Sequence, residues 1–178
     1  MPDLLIRIKK KNGGAAALTA LRPDGSWTWQ QQNGQTGRVF PLHDLTHYAV
    51  ETTLGSCNGF FGLVSQGWEM TDFGSPWPKG RPPLEAVLIE LLVGYFDLER
   101  MTETSTSAAE INQRIAAAFP EGTQPHMPFR IDDEHVERIH RARADLFARW
   151  AAVPVGDSLE LPFDRRAGLL DTNAMARA

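Results

Sequence analysis

The sequence contains little cysteine, no long apolar run and no excess of positive charge. Its 178 residues include a single cysteine, Cys57, so no disulfide can form within the chain. A chain so poor in cysteine is typical of a reducing compartment, and charges rather than a signal-peptide core follow the apolar residues 4–6. We therefore expect a cytoplasmic location. Because no apolar run approaches the roughly 20 residues of a membrane-spanning helix, we expect no membrane partner.

The net charge and the lack of several short motifs narrow the function further. A net charge of −4 gives no indication of a nucleic-acid partner. The chain also lacks the glycine-rich loops that bind phosphate and the paired cysteines of structural zinc sites. What remains is an ordinary globular composition, 42% hydrophobic and 22% charged. It predicts one domain over residues 1–163, followed by a C-terminal tail of residues 164–178.

The first 40 residues alternate apolar and polar side chains, as half-buried strands do. The alternation is clear around Ile6 and Ile8. Asn33 and Gly34 form the strongest short hairpin signal in the sequence and predict a return strand that ends at Phe40. We therefore predict an antiparallel β-meander over residues 4–40.

Helical patterns dominate the rest of the chain. Pro41 is expected to end the last strand of the meander and to open a helix, since its fixed φ suits a first helical turn. The helix predicted after residue 83 is apolar around most of its circumference, so we expect it to be central and buried. The predicted helices span residues 42–54, 84–101, 108–119 and 132–152. With a short strand at 155–161 that can extend the sheet, the fold class is α+β, an N-terminal antiparallel meander packed against about four α-helices.

Residues 70–83 contain two glycines and four prolines and are predicted to be irregular. A loop of this length is uncommon inside a compact domain and is often functional. Two alternatives stay open, a lid over a binding site and an inert crossing of the surface.

Residues 40–51 hold the most informative pattern. On a helix, His43 and His47 lie one turn apart and can both reach one metal ion. Glu51, a further turn along, is a candidate third ligand or a partner that orients a ring. Glu90 or Asp97, which point the same way on the helix at 84–101, can complete a set of two histidines and a carboxylate. We predict a zinc site, with an acidic stripe that merely faces water as the alternative.

Asp44 directly follows His43, where HExxH metalloproteases carry their general base. The motif here is HDxxH, and Asp is one methylene shorter than Glu. We predict Asp44 as the catalytic base of a zinc-dependent hydrolase whose substrate is an unknown small molecule or peptide. Two structural interpretations compete with this one. Asp44 can cap the helix and leave His43 outside it, or both histidines can form hydrogen bonds within the core.

A second hypothesis from a different class of function is a non-catalytic binding or regulatory module. A homodimer is one form that such a module can take. Its contact surface would contain Trp27, Trp29, Trp68 and Trp77, because tryptophan is enriched at interface hot spots. Exposure of these rings would favour the binding module, and complete burial of Trp27 and Trp29 would count against it.

The histidine segment also supports a resemblance. Residues 40–51, with HDLTHYAVE at 43–51, are followed by glycine-rich aromatic stretches at 59–63 and 67–68. Over about the first hundred residues, this pattern resembles a group of small uncharacterised bacterial proteins that carry an HDLTHYAVE-like segment. The resemblance implies a bacterial source and implies no particular activity, cofactor or substrate.

Overall fold

The computed structural model describes residues 2–118 and 130–165. It has the predicted α+β class, with a four-stranded antiparallel sheet and helices packed against it. The strands are β1 (Leu4–Lys10), β2 (Ala16–Leu21), β3 (Trp27–Gln32) and β4 (Ser158–Phe163). The helices are α1 (Gly34–Leu54), α2 (Phe60–Ser65), α3 (Leu84–Thr102), α4 (Ala108–Ala117) and α5 (Asp133–Ala152), with short 3-10 turns at Asn12–Gly14 and Met70–Phe73. Apart from its first two residues, the predicted tail at 164–178 lies outside the described residues.

The sheet has the order β3-β2-β1-β4, with every neighbouring pair antiparallel. The strand predicted near 155–161 is β4, which pairs with β1 and thereby extends the N-terminal sheet. Alternation places one side of each strand in the core, as at Ile6, which lies between Ala20 and Leu161 in the register. One face of the sheet is therefore packed against the helices.

The return strand predicted at 37–40 is wrong, because α1 begins at Gly34 and includes those residues. Gly34 has φ of +58°, which lets the chain leave β3 directly into a helix. Gly37 then packs against the turn before β2, where a Cβ atom would lie 2.4 Å from the carbonyl oxygen of Gly14. Pro41, predicted to open the helix, lies about two turns inside it. A tertiary contact thus outweighs the local hairpin signal.

Helix α1 is the central element of the fold. The sequence analysis predicted instead that the helix at 84–101 would be central and buried. Leu45 and Ala49 of α1 are buried in the core that the sheet shares with α5. Val50 and Leu54 of α1 are buried in a second core, which it shares with α3, α4 and α5. Helix α3 leaves part of its apolar surface exposed, including Val87. The histidine segment therefore runs between two apolar cores.

Candidate metal centre

Helices α1 and α3 bring His43, His47 and Glu90 together. The two imidazole rings have centroids 4.8 Å apart and planes at 78° to each other. The Nε2 atom of His47 lies 3.1 Å from Oε2 of Glu90, and Nε2 of His43 lies 3.9 Å from Oε1 of the same carboxylate. One nitrogen or oxygen atom from each residue lies within 4.8 Å of the other two. Three potential metal ligands therefore converge on one point.

Two further carboxylates hold the opposite sides of the rings. The Nδ1 atom of His43 is 2.8 Å from Oδ2 of Asp97, and Nδ1 of His47 is 3.2 Å from Oε1 of Glu51. In each pair Nδ1–H can donate to its carboxylate, so that Nε2, on the side of Glu90, is the nitrogen that would give up its proton to bind an ion. This arrangement is the usual one for histidines that bind metal, whose second nitrogen donates to a carboxylate or a carbonyl.

Glu51, predicted as a ligand or an orienting partner, lies on the Nδ1 side of His47 and away from the converging atoms. Its buried carboxylate also accepts hydrogen bonds from the backbone N–H groups of Phe61, at 3.2 Å, and Gly62, at 3.0 Å. A Cβ atom at Gly59 would lie 2.6 Å from Oε2 of Glu51, so this close approach requires glycine. Glu51 therefore orients the ring and fixes the start of α2 against α1.

Asp44 lies in the interior of α1, ten residues after its first residue, so it does not cap the helix. The competing interpretation that placed His43 outside the helix is wrong. The Asp44 side chain is only 5% exposed and lines the cavity beside the two histidines. No hydrogen-bond partner for this carboxyl occurs among the described residues. Burial raises the pKa of Asp44 to about 7, although the neighbouring His43 and His47 partly oppose the shift.

The converging atoms face a cavity of about 670 Å³. Its walls are mainly apolar and include Phe40, Phe60, Phe73, Trp77, Val87 and Leu91. The polar lining comes from Gln30, Arg81 and part of the histidine cluster, by which we mean His43, His47 and the carboxylates around them. A volume of this size is typical of pockets that bind small molecules.

The irregular segment 70–83 forms one wall of this cavity, and a role as a lid over it stays a prediction. Phe73 packs against Phe60 with ring centroids 4.7 Å apart. Asp72 accepts a hydrogen bond from the backbone N–H of Glu69 and forms an ion pair of 3.3 Å with Lys79. The contact of Phe73 packs the segment against α2, and the contacts of Asp72 hold the segment together. Its glycines, its prolines and its length were the signal for this loop in the sequence.

The cluster has a surplus of negative charge. Four carboxylates surround the two rings, those of Asp44, Glu51, Glu90 and Asp97. Burial lowers the pKa of His47, but the adjacent Glu51 and Glu90 outweigh burial and raise the pKa to about 10. Contact with His47 in turn lowers the pKa of Glu90. The electrostatic field at the converging atoms therefore favours a positive charge.

A buried arginine of α5 forms hydrogen bonds with both helices that carry the histidine cluster, α1 and α3. Arg143 of α5 is buried and donates hydrogen bonds to Oγ1 of Thr46 at 3.3 Å and to the carbonyl of Phe96 at 2.7 Å. Thr46 belongs to α1 and Phe96 to α3. The one signal for this role in the sequence is an arginine at an apolar position of the helical pattern.

No protein-family model matches this chain, and searches of curated proteins and of solved structures found no match. Within residues 2–118 and 130–165, none of the helices has both the length and the apolar character needed to cross a bilayer. The resemblance to small bacterial proteins stays a prediction.

Proposed function

We propose that His43, His47 and Glu90 bind one divalent metal ion, and that this ion is zinc. The observation that carries the proposal is the convergence of two Nε2 atoms and a carboxylate, with each Nδ1 held by its own carboxylate. A merely structural pair of histidines has no need of a third group facing both free nitrogens. Imidazole and carboxylate are ligands that suit zinc.

Three protein ligands are typical of a catalytic zinc site, which keeps one position open for water or substrate. Here the open position would face the cavity, since His43, His47 and Glu90 all line it. Glu90 is 63% exposed at its side chain, so an ion can enter without unfolding of the helices. A structural zinc site would instead have four protein ligands and no adjoining cavity.

The proposed reaction is the hydrolysis of an ester or an amide. When bound, a zinc ion would polarise the carbonyl of the substrate and lower the pKa of a water molecule. Asp44 lines the same cavity beside the ligands and has no competing hydrogen bond among the described residues. Its carboxylate would accept a proton from the attacking water as the new C–O bond forms. It would then give that proton to the leaving oxygen or nitrogen as the old bond breaks.

Metal analysis of the full chain, purified without a histidine tag, tests the proposal. After incubation with equal amounts of zinc, iron(II) and manganese followed by dialysis, we expect about one zinc ion per chain. The double variant His43→Ala with His47→Ala should lose the ion. The variant His135→Ala is the matched control, because His135 contacts Asp132 at the start of α5 instead of lining the cavity. Retention of another metal would reject zinc, and an equal metal content in wild type and double variant would reject the site.

One observation favours the second candidate function, a binding module. Trp27 and Trp29 are 56% and 52% exposed on β3, which is an edge strand. Leu21, also exposed, lies opposite Trp27 in the register. The predicted surface of four tryptophans is divided, however, because Trp77 lines the cavity and Trp68 packs on Phe73. The candidate is therefore restricted to the β3 edge.

Light scattering after gel filtration tests this candidate. A homodimer that becomes monomeric in the variant Trp27→Ser with Trp29→Ser would support it, and a wild-type monomer would reject the homodimer. The two candidate functions use different residues, so that either result leaves the metal proposal standing.

A further inference from the structure

The cavity wall formed by the segment before α3 carries a cation without a counter-charge. Arg81 lines the cavity, and its guanidinium lies 5.4 Å from the centroid of the Trp77 ring. Among the described residues it has no carboxylate and no hydrogen-bond acceptor as a partner. Lys79, two residues earlier, differs because it pairs with Asp72 and donates to the carbonyl of Gly67. The guanidinium of Arg81 is therefore available to a ligand.

Trp77 presents its ring at this point from an unfavourable backbone conformation. Its φ is +54°, in the left-handed region that non-glycine residues rarely adopt. Such residues concentrate at active sites and ligand clamps, where the surrounding structure holds them in place. The cation–π contact with this ring holds the guanidinium of Arg81 at the cavity wall, where its fork of N–H donors suits a planar anion.

The positive and negative parts of the cavity are separated along α3. Arg81 precedes Leu84, the first residue of α3, by three residues. Glu90 follows Leu84 by six residues, which corresponds to about 9 Å along the helix axis. Between them the α3 side of the cavity is apolar, with Ala86 and Val87. The cavity thus has a cationic end, an apolar middle and an acidic, histidine-bearing end.

We infer that the substrate is an ester or amide with an apolar body and a free carboxylate, and that Arg81 binds this carboxylate. The inference rests on the proposed function, because the hydrolysed bond is assigned to the histidine-bearing end. Even with one divalent ion bound, the four carboxylates around the histidines outnumber its two positive charges, whereas Arg81 has no counter-charge among the described residues, so the charges favour binding of the substrate carboxylate at Arg81. Arginine forms two parallel hydrogen bonds to a carboxylate, which a neutral amide cannot accept in the same way.

Isothermal titration calorimetry of the zinc-loaded full chain tests the inference. The probes are N-acetyl-phenylalanine, which has a carboxylate, its uncharged carboxamide, and phenyl phosphate. We expect the carboxylate probe to bind roughly 10-fold or more tightly than the carboxamide, as for a charge-assisted hydrogen bond. Phenyl phosphate distinguishes the anion class, and a preference for it over the carboxylate would overturn the assignment to a carboxylate.

Variants identify the group that recognises the charge. Arg81→Gln should remove the preference for the carboxylate probe, and Arg81→Lys should retain part of it. Arg114→Gln is the matched control, since Arg114 is also exposed and lies over an aromatic ring, Tyr95, but does not line the cavity. An unchanged preference in Arg81→Gln would overturn the inference, as would equal binding of the two probes or no binding of either at millimolar concentration.

The same titrations on metal-free protein separate this inference from the proposed function. If Arg81 binds the carboxylate, the preference persists without zinc and still depends on Arg81. If the preference disappears with the metal, the carboxylate binds the ion, and the inference is wrong while the metal site stands. If metal analysis finds no zinc but the preference depends on Arg81, the anion site stands and the hydrolase proposal fails.

Discussion

The two sides of α1 contain opposite kinds of packing. Toward the sheet, Leu45 and Ala49 are completely buried in an apolar core. Toward α3, His43 and His47 meet the acidic side chains of that helix and adjoin the cavity. The same helix thus has an apolar seam against the sheet, while its contact with α3 is divided between the apolar core around Val50 and Leu54 and a polar seam at His43 and His47. The apolar seam contains side chains that stabilise the fold, and the polar seam contains side chains that can bind a ligand.

A polar seam is a poor way to stabilise a helix pair. Replacing buried ionic groups by well-packed apolar ones is often neutral or stabilising by about 1–4 kcal/mol, because charges lose hydration when they are buried. Four carboxylates around two imidazoles exceed what the histidines need as hydrogen-bond partners. We therefore expect changes in the apolar seam to affect stability and changes in the polar seam to affect ligand binding. The predictions below test that division.

The largest effect is expected in the apolar seam. Leu45→Ala should lower the free energy of unfolding by about 2–5 kcal/mol, because it removes contacts and leaves a cavity in the core. Urea denaturation followed by circular dichroism measures the loss. Leu98→Ala is the matched control on α3, since Leu98 is 46% exposed, and it should change stability by about 0.5 kcal/mol or less. Equal losses in the two variants would contradict the assignment of the core.

Zinc itself should stabilise the polar seam. Free zinc at roughly 100 times its dissociation constant should raise the free energy of unfolding by about 2.7 kcal/mol, provided that the unfolded chain does not bind it. Glu90→Gln removes a charged ligand and should abolish most of this gain. Glu137→Gln, on the exposed side of α5, is the control and should keep it. Stabilisation by zinc that survives Glu90→Gln would mean that the ion binds elsewhere.

A weaker effect on metal binding is expected from Asp97, which contacts a proposed ligand and not the ion itself. Asp97→Asn leaves the ligands in place but replaces the carboxylate that holds Nδ1 of His43 at 2.8 Å. Loss of such an orienting partner typically lowers metal affinity by about 10–100-fold. Competition with a chelating indicator measures the affinity. An affinity equal to that of wild type would show that His43 is not oriented through Asp97, or that it is not a ligand.

Sequence periodicity predicted the parts of this arrangement that repeat. Alternation indicated β1 and β4, and the i, i+4 spacing indicated that His43 and His47 share a helix face, as they do in α1. It failed where a contact distant in sequence decides, as at Gly37, whose packing against the turn at Gly14 turns a predicted strand into helix. Helical spacing predicts which way a carboxylate side chain points, but it does not predict which of the two imidazole nitrogens that carboxylate contacts.

This limit explains the different positions of the three predicted acidic candidates. Glu51, Glu90 and Asp97 were all candidate ligands, yet Glu51 meets Nδ1 of His47 and Asp97 meets Nδ1 of His43, whereas Glu90 meets Nε2 of His47. The division depends on how α3 lies against α1, which no local pattern encodes. The composition of residues 70–83 predicted an irregular loop, with a lid as one alternative, but it did not predict that Trp77 and Arg81 line the cavity, because an irregular segment has no periodic pattern. Whether the converging atoms bind an ion stays a prediction.

The smallest effect concerns the cavity wall, which belongs to neither seam. The backbone N–H of Glu69 donates to Asp72 and lowers the pKa of that carboxyl, with a further contribution from Lys79. A carboxyl whose pKa is lower in the folded state stabilises the fold above its unfolded pKa of about 3.9, and this stabilisation is lost as the pH falls through the folded value. Asparagine can still accept from the Glu69 N–H but lacks the charge that strengthens this bond and pairs with Lys79. Asp72→Asn should therefore cost about 1 kcal/mol or less at neutral pH, and less again under acid conditions.

Urea denaturation of wild type and Asp72→Asn at a series of pH values measures this difference. Asp145→Asn is the control, because Asp145 lies exposed on α5, where its only neighbour of opposite charge among the described residues is Arg149 at 3.5 Å. A cost that is the same at every pH would mean that the charge of Asp72 does not hold the wall. The calorimetric preference for the carboxylate probe should then also be unaffected by Asp72→Asn. A wall that depends on Asp72 would instead show both losses together, since Arg81 and Trp77 follow it in the same segment.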